Sequence, residues 1–152
     1  MTTTIDTRML DIAQHAAVSG IGAMSLGEAL TAALVLNRSD WLRERGYSIV
    51  EALERIGPEW AARLSAVAQQ FHDEVTRARL RFSFEIVPHP NDAGGFTLRL
   101  LEAGEEVGGG QFRAQGQSGP FTDEQSAYDE ALATGRSWLV DKQAAVFPQL
   151  SR

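Results

Sequence analysis

Three histidines, a run of glycines and a scatter of acids are the residues of this chain whose types could support chemistry. His15, His72 and His89 lie far apart. None shares the H-E-x-x-H spacing that sets two imidazoles on one helix face for a metal. His72-Asp73-Glu74 puts an imidazole beside two carboxylates, the raw material of a base and its orienting group. On a helix the same three neighbours make a solvated face, which is the simpler reading. His89 stands between Pro88 and Pro90; its first role there is turn formation. Gly108-Gly109-Gly110 with Gly116 invites comparison with a phosphate loop. That loop needs a strand, a glycine turn and a helix start in immediate order, with Lys and Ser or Thr behind it. These glycines fall inside an expected strand and no lysine follows them directly, so a bulge or a close backbone approach is expected instead. The chain has no cysteine, which excludes thiol nucleophiles, disulfides and thiolate metal sites. No nucleophile is spaced to meet a base, so no catalytic residue, metal or cofactor is assigned, and the chain reads as a non-enzyme.

What remains is recognition chemistry. Trp41, Arg43, Arg45 and Tyr47 gather aromatic and guanidinium groups in one short stretch, the types most often found as interface anchors. Trp41 follows Ser39-Asp40 at an expected helix start, where partial exposure is expected. Asp123, Glu124, Asp129 and Glu130 open the last helix as an acidic cluster, with Glu102, Glu105 and Glu106 as an extension of it. The net charge is -6 and Lys142 is the sole lysine. A general phosphate-backbone binder carries a basic patch, so the overall field argues against nucleic acid. It favours another protein, one with a basic surface, as the partner.

These residues need elements to hold them. At 152 residues the chain suits one domain or two small halves. Ile5, Met9, Ile12, Ala13, Ala16 and Ala17 recur at helical spacing and predict a helix over 5–18. Ser25-x-x-Glu28 is a capping box opening a second helix toward Asn37. Ser39 or Asp40 caps a short helix stopped at Gly46. Ser48-x-x-Glu51 is another box, and Gly57-Pro58 ends one helix and begins the next. That next helix carries Trp60, Leu64, Val67, Phe71 and Val75 and runs to about Ala78. The period then changes from 3.6 to 2: Leu80, Phe82, Phe84 and Ile86 alternate with Arg81, Ser83 and Glu85. Strands follow at Phe96–Leu100 and about 106–114, joined by a tight Ala103-Gly104 connection, then an exposed loop over 116–120. Thr122-x-x-Gln125 caps a last helix through Ala127, Ala131, Gly135, Trp138 and Leu139, with Trp60 and Trp138 both expected in the core. Gly135 inside that helix costs about 1 kcal/mol relative to alanine, which close contact with the sheet would offset. The expected fold class is α+β: a helical N-terminal half over 1–57, then an αβββα subdomain over 58–147 with a three-stranded antiparallel sheet covered by the C-terminal helix, and a tail over 148–152.

Two partial likenesses follow from these elements. The αβββα order is similar to that of double-stranded-RNA-binding domains, which hold phosphates with basic residues at the start of the last helix. Here that turn is Thr122-Asp123-Glu124-Gln125, which argues against RNA. Residues 42–56 resemble a helix-turn-helix, with a Gly-aromatic-Ser-aliphatic turn like that of mercury-resistance-type regulators. Such a unit reads bases with cationic or amide side chains, and this second helix offers Glu51, Glu54 and Arg55. A third likeness rests on Leu34-Val35-Leu36-Asn37-Arg38, Asp40-Trp41-Leu42, Gly46-Tyr47-Ser48-Ile49 and Ile56-Gly57-Pro58-Glu59-Trp60. These runs resemble small uncharacterised accessory proteins of proteobacterial plasmids, prophages and integrative elements. The resemblance implies the cargo of a mobile element, a class that includes inhibitors of host defence such as anti-CRISPR proteins. No signal-peptide pattern opens the chain and no apolar run is long enough to span a membrane, so the cytoplasm is expected. The first reading is a soluble protein-binding module, with blockade of a host nucleic-acid-binding complex as its specific form. The alternative is a DNA-binding regulator using residues 39–57.

Overall fold

The computed structural model describes residues 4–89, 94–114 and 121–150. The fold is α+β. In chain order it comprises α1 (Ile5–Ser19), α2 (Leu26–Val35), α3 (Ser39–Glu44), α4 (Ile49–Ile56), α5 (Pro58–Ala61), α6 (Leu64–Leu80), β1 (Phe82–Pro88), β2 (Gly95–Glu102), β3 (Glu105–Arg113), α7 (Glu124–Val146) and a terminal 3-10 turn at Pro148–Leu150. No helix among the described residues is long and apolar enough to cross a membrane. Two compact units divide the chain. One holds residues 4–76 together with 147–150, and the other holds residues 77–146. The expected break at residue 57 therefore lies inside the first unit. Of the expected tail, Pro148–Leu150 form a 3-10 turn packed on α1, and residues 151–152 lie outside the described residues.

Both capping boxes form. Ser25 and Glu28 exchange side-chain and backbone bonds at 3.3 and 3.4 Å, and Ser48 and Glu51 do so at 2.9 and 3.2 Å. Each box satisfies two amides that the first helical turn leaves without an acceptor. Three local expectations shift. α3 is capped by neither Ser39 nor Asp40; Arg38 holds the cap position without a side-chain cap bond. At α7 the cap is Asp123, which accepts from the Ser126 amide at 2.8 Å, so the start is one residue beyond the Thr122 reading. The long helix expected from Pro58 breaks after Ala61: the Ala62 amide still bonds to the Pro58 carbonyl, four residues back, but the Arg63 amide turns to the Trp60 carbonyl, three back, in a tightened turn.

In the first unit, α1 and α2 meet through alanine. Ala13, Ala16, Ala17, Ala29, Ala32 and Ala33 are all essentially buried, and side chains this small let the two helices approach closely. Leu30, Trp41 and Leu42 supply the bulk around them, with burial of each leucine contributing about 1.5–3 kcal/mol. A second cluster joins Met9, Val67, Phe71 and Val75 to Phe147 and Leu150, and the Phe71 and Phe147 rings lie 5.5 Å apart. Gln14 donates to Glu74 at 2.6 Å and ties α1 to α6. Trp60 is half-buried, packed at the edge of this second cluster rather than inside it as expected.

In the second unit the sheet order is β1-β2-β3, antiparallel throughout. Phe82, Phe84, Ile86, Leu98 and Leu100 fall on one face by register. α7 packs on this sheet through Ala127, Ala131 and Gly135. A β-carbon at Gly135 would lie 2.6 Å from the Phe84 ring, so the helix-weakening glycine is there to let helix and sheet touch. Trp138 is half-buried rather than core and stands edge-on to Phe82 at 6.0 Å. β2 and β3 are joined through Ala103 (φ 52°) and Gly104 (φ 82°), the two left-handed residues of a tight hairpin turn. The triple glycine sits in β3 as expected. The register slips between Leu100 and Leu101, leaving Val107 as the bulged residue, and a β-carbon at Gly109 would sit 2.0 Å from the Leu98 carbonyl oxygen. The expected loop over 116–120 and part of the Pro88–Gly95 turn lie outside the described residues.

Gly135→Ala tests this packing. Helix propensity alone favours alanine by about 1 kcal/mol, while overpacking a ring at this distance costs about 1–3 kcal/mol. Urea denaturation should show a net loss of stability. A more stable variant would mean that α7 does not rest on Phe84.

Candidate functional site

The α3–α4 corner holds the aromatic and arginine residues singled out by sequence, and the structure sorts them into inward and outward sets. Trp41 is 6% exposed and Leu42 3%, so Trp41 is a core residue and not the exposed anchor expected. The cause is Arg38. Its guanidinium lies 4.2 Å from the centre of the Trp41 ring, covering it. The same group forks onto Asp40, with Nε to Oδ1 at 2.9 Å and Nη2 to Oδ2 at 2.7 Å, and donates from Nη1 to the Gln149 carbonyl. The fork onto Asp40 holds its carboxyl well below the usual carboxylate range, at about 2. Arg45 is also spent internally, donating to the Ile21 carbonyl at 2.7 Å. Tyr47 is half-buried against the core. Of the four expected anchors in this stretch, only Arg43 is plainly exposed.

What the corner does present outward is apolar. Ile49 is 56% and Val50 65% exposed at the start of α4, because the Ser48 box orients the helix with Ala52 inward. Ile49 also lines a cavity of about 240 Å³ with Ala33, Leu34, Leu42, Leu53 and Leu64, rimmed by Asn37, Arg38 and Ser39. Glu44, Glu51 and Glu54 are exposed too, but Glu51 and Glu54 lie on the side of α4 shared with Tyr47 and Arg55, away from this cavity. Bonds from Ser48 hold the Glu51 carboxyl below its ordinary value, so it is charged at neutral pH. Sequence reasoning named the corner but missed Ile49 and Val50 as its outward residues. Two adjacent β-branched residues after a cap read equally well as core.

The acidic cluster does not form one surface. Asp123 and Glu130, seven residues apart, share a side of α7, whereas Glu124 and Asp129, five apart, point to nearly opposite sides. The Asp123 carboxyl is lowered by its bonds from Ser126 and serves as a cap. Asp129 accepts from Gln125 at 2.8 Å, and the Glu124 side chain lies against Gly94. Glu102 and Glu106 do not extend the cluster: Arg81 pairs with Glu102 at 3.1 Å, and Arg99 pairs with Glu85 at 2.9 Å and Glu106 at 3.1 Å. Among the described residues no three His, Asp or Glu side chains gather as a metal site.

The site is thus an apolar helix start with a leucine-lined cavity, with Glu54 one helical turn on from Val50, set in the helical unit of an α+β protein. No protein family, curated protein or solved structure matches this chain.

The Arg38 fork makes a signed prediction. Asp40 titrates lower folded than unfolded, so its pair contributes stability that is present above pH 3.8 and lost as pH falls through about 2. In Arg38→Gln the Asp40 midpoint, followed by carboxyl NMR, should move up toward the ordinary value. An unchanged midpoint would show that the fork is not what lowers it.

Proposed function

We propose that the protein is a non-catalytic protein-binding module that docks through the start of α4. The observation that carries this reading is the paired exposure of Ile49 and Val50 beside the leucine-lined cavity. A pocket of this size, apolar inside and polar at the rim, accepts one anchoring side chain from a partner. The exposed Glu54, one helical turn on from Val50, suits a partner that sets a basic residue beside its apolar anchor. The likeness of residues 34–60 to mobile-element accessory proteins supports a host protein as the target. Its narrowest form is a subunit of a nucleic-acid-binding defence complex, whose basic surfaces meet the stated chemistry.

The α3–α4 pair also has the outline of a helix-turn-helix, which keeps a DNA-binding reading as the alternative. Its chemistry argues the other way. The leading residues of α4, where base contacts would be made, are Ile49, Val50 and Glu51. Two aliphatic groups and a charged carboxylate leave phosphates and most base edges without donors.

Affinity capture from nuclease-treated host lysate, run in parallel with Ile49→Asp/Val50→Asp and Glu54→Arg variants, tests the reading. Both residues of the first variant are exposed, so its stability should change by no more than about 0.5 kcal/mol. A partner retained by the native chain should be lost with the aspartates and weakened by the charge reversal. Capture that survives both variants, or a salt-sensitive shift of duplex DNA by the native chain, would overturn the proposal.

A further inference from the structure

A second cavity of about 250 Å³ lies elsewhere in the helical unit, lined by Arg8 and Ile12 of α1, Ser25, Gly27, Glu28 and Thr31 at the start of α2, Arg55 and Ile56 at the end of α4, and Trp60. Two arginines stand at its wall. Arg38, Arg63, Arg81 and Arg99 each have a carboxylate partner. Arg8 and Arg55, like Arg43, Arg45, Arg79 and Arg136, have none among the described residues, and of these six only Arg8 and Arg55 line this cavity. Arg8 is not adrift: its guanidinium is seated over the Trp60 ring at 5.6 Å from the centroid. A stacked guanidinium keeps its in-plane donors free for a carboxylate. Ile12, Ile56 and the Trp60 edge give apolar wall. The buried Thr31 hydroxyl spends its proton on the Gly27 carbonyl at 2.8 Å and so repels no apolar group by needing a partner.

We propose that this cavity binds a small organic monocarboxylate, with the carboxylate between Arg8 and Arg55 and the apolar body against Ile12, Ile56 and Trp60. Charge selects the monoanion. Two guanidinium groups face one lining carboxylate, that of Glu28, which is already accepting from the Ser25 amide at 3.3 Å. One positive charge is left over. A phosphate monoester would bring a second negative charge toward Glu28. The volume suits a single ring or a short branched chain and is below that of drug-sized sites. The position is distinct from the Ile49 cavity, with no lining residue in common, so either site can fail without the other.

The test uses benzoate as probe, with benzamide as its neutral counterpart and phenyl phosphate as the dianion, followed by amide and indole shifts in two-dimensional NMR of the full chain. Benzoate should give saturable shifts at Gly27, Thr31 and the Trp60 indole. Benzamide and phenyl phosphate should each bind about tenfold more weakly or worse, since a charge-assisted pair is lost or a repulsion gained. Arg8→Gln and Arg55→Gln should each weaken benzoate by about tenfold while leaving the far-ultraviolet dichroism unchanged. Trp60→Phe, which keeps a ring beneath Arg8, should retain binding within a few-fold. Equal binding of benzoate and benzamide, preference for phenyl phosphate, shifts that do not saturate, or benzoate affinity indifferent to both arginine substitutions would each overturn the proposal.

Discussion

One guanidinium makes three contacts that join two segments of the helical unit. Arg38 stacks on Trp41, forks onto Asp40 and donates to the backbone at Gln149. The first contact seals the core beneath α3, the second fixes the entry to that helix, and the third holds the returning end of the chain. A group with five donors and a flat face can do all this at once; an ammonium could not. Because the second unit, residues 77–146, is inserted between residue 76 and the return at residue 147, the helical unit is discontinuous in sequence. Its closure depends on contacts such as this one and the Phe71–Phe147 pair.

That closure also explains why the surface differs from the one composition suggests. Trp41, Arg38 and Arg45, the residues most suited by type to grip a partner, are consumed inside the protein. The outward chemistry falls to Ile49 and Val50, whose exposure costs solvation and is unrelieved within the described residues. Leu80, Val107 and Val140 are comparably exposed; what sets Ile49 and Val50 apart, and grounds the proposed docking face, is that they are adjacent and Ile49 borders a cavity. On the second unit the opposite has happened. Arg99 ties Glu85 to Glu106 across three strands, and the outer sheet face is balanced internally. Pairs this exposed add little to stability, but they remove the acidic patch that counting residues implies.

Most of the element order could be read from the residues, because its signals are local. The boxes at Ser25 and Ser48, the stop at Gly57-Pro58 and the change of period after Leu80 each act within one or two turns of chain. Even Gly135 could be read, since a glycine amid helix formers asks for a close neighbour and Phe84 is that neighbour. The start of α7 at Asp123 instead of Thr122, and the break after Ala61, were not legible. Adjacent candidates compete for the same amides, and the choice depends on where the helix must land.

The candidate site was legible as a place but not as a set of side chains. Sequence alone determined an α+β chain without cysteine chemistry, with helical and sheet-forming stretches in a set order and a corner near residues 38–57, because propensity, capping and periodicity are short-range. Tertiary structure alone decided that Trp41 is buried and Ile49 exposed, that Arg8 and Arg55 line one cavity from helices far apart in the chain, and that the acids of α7 diverge. Those outcomes turn on which face of each helix meets its neighbours, a long-range packing choice that no short window of residues contains.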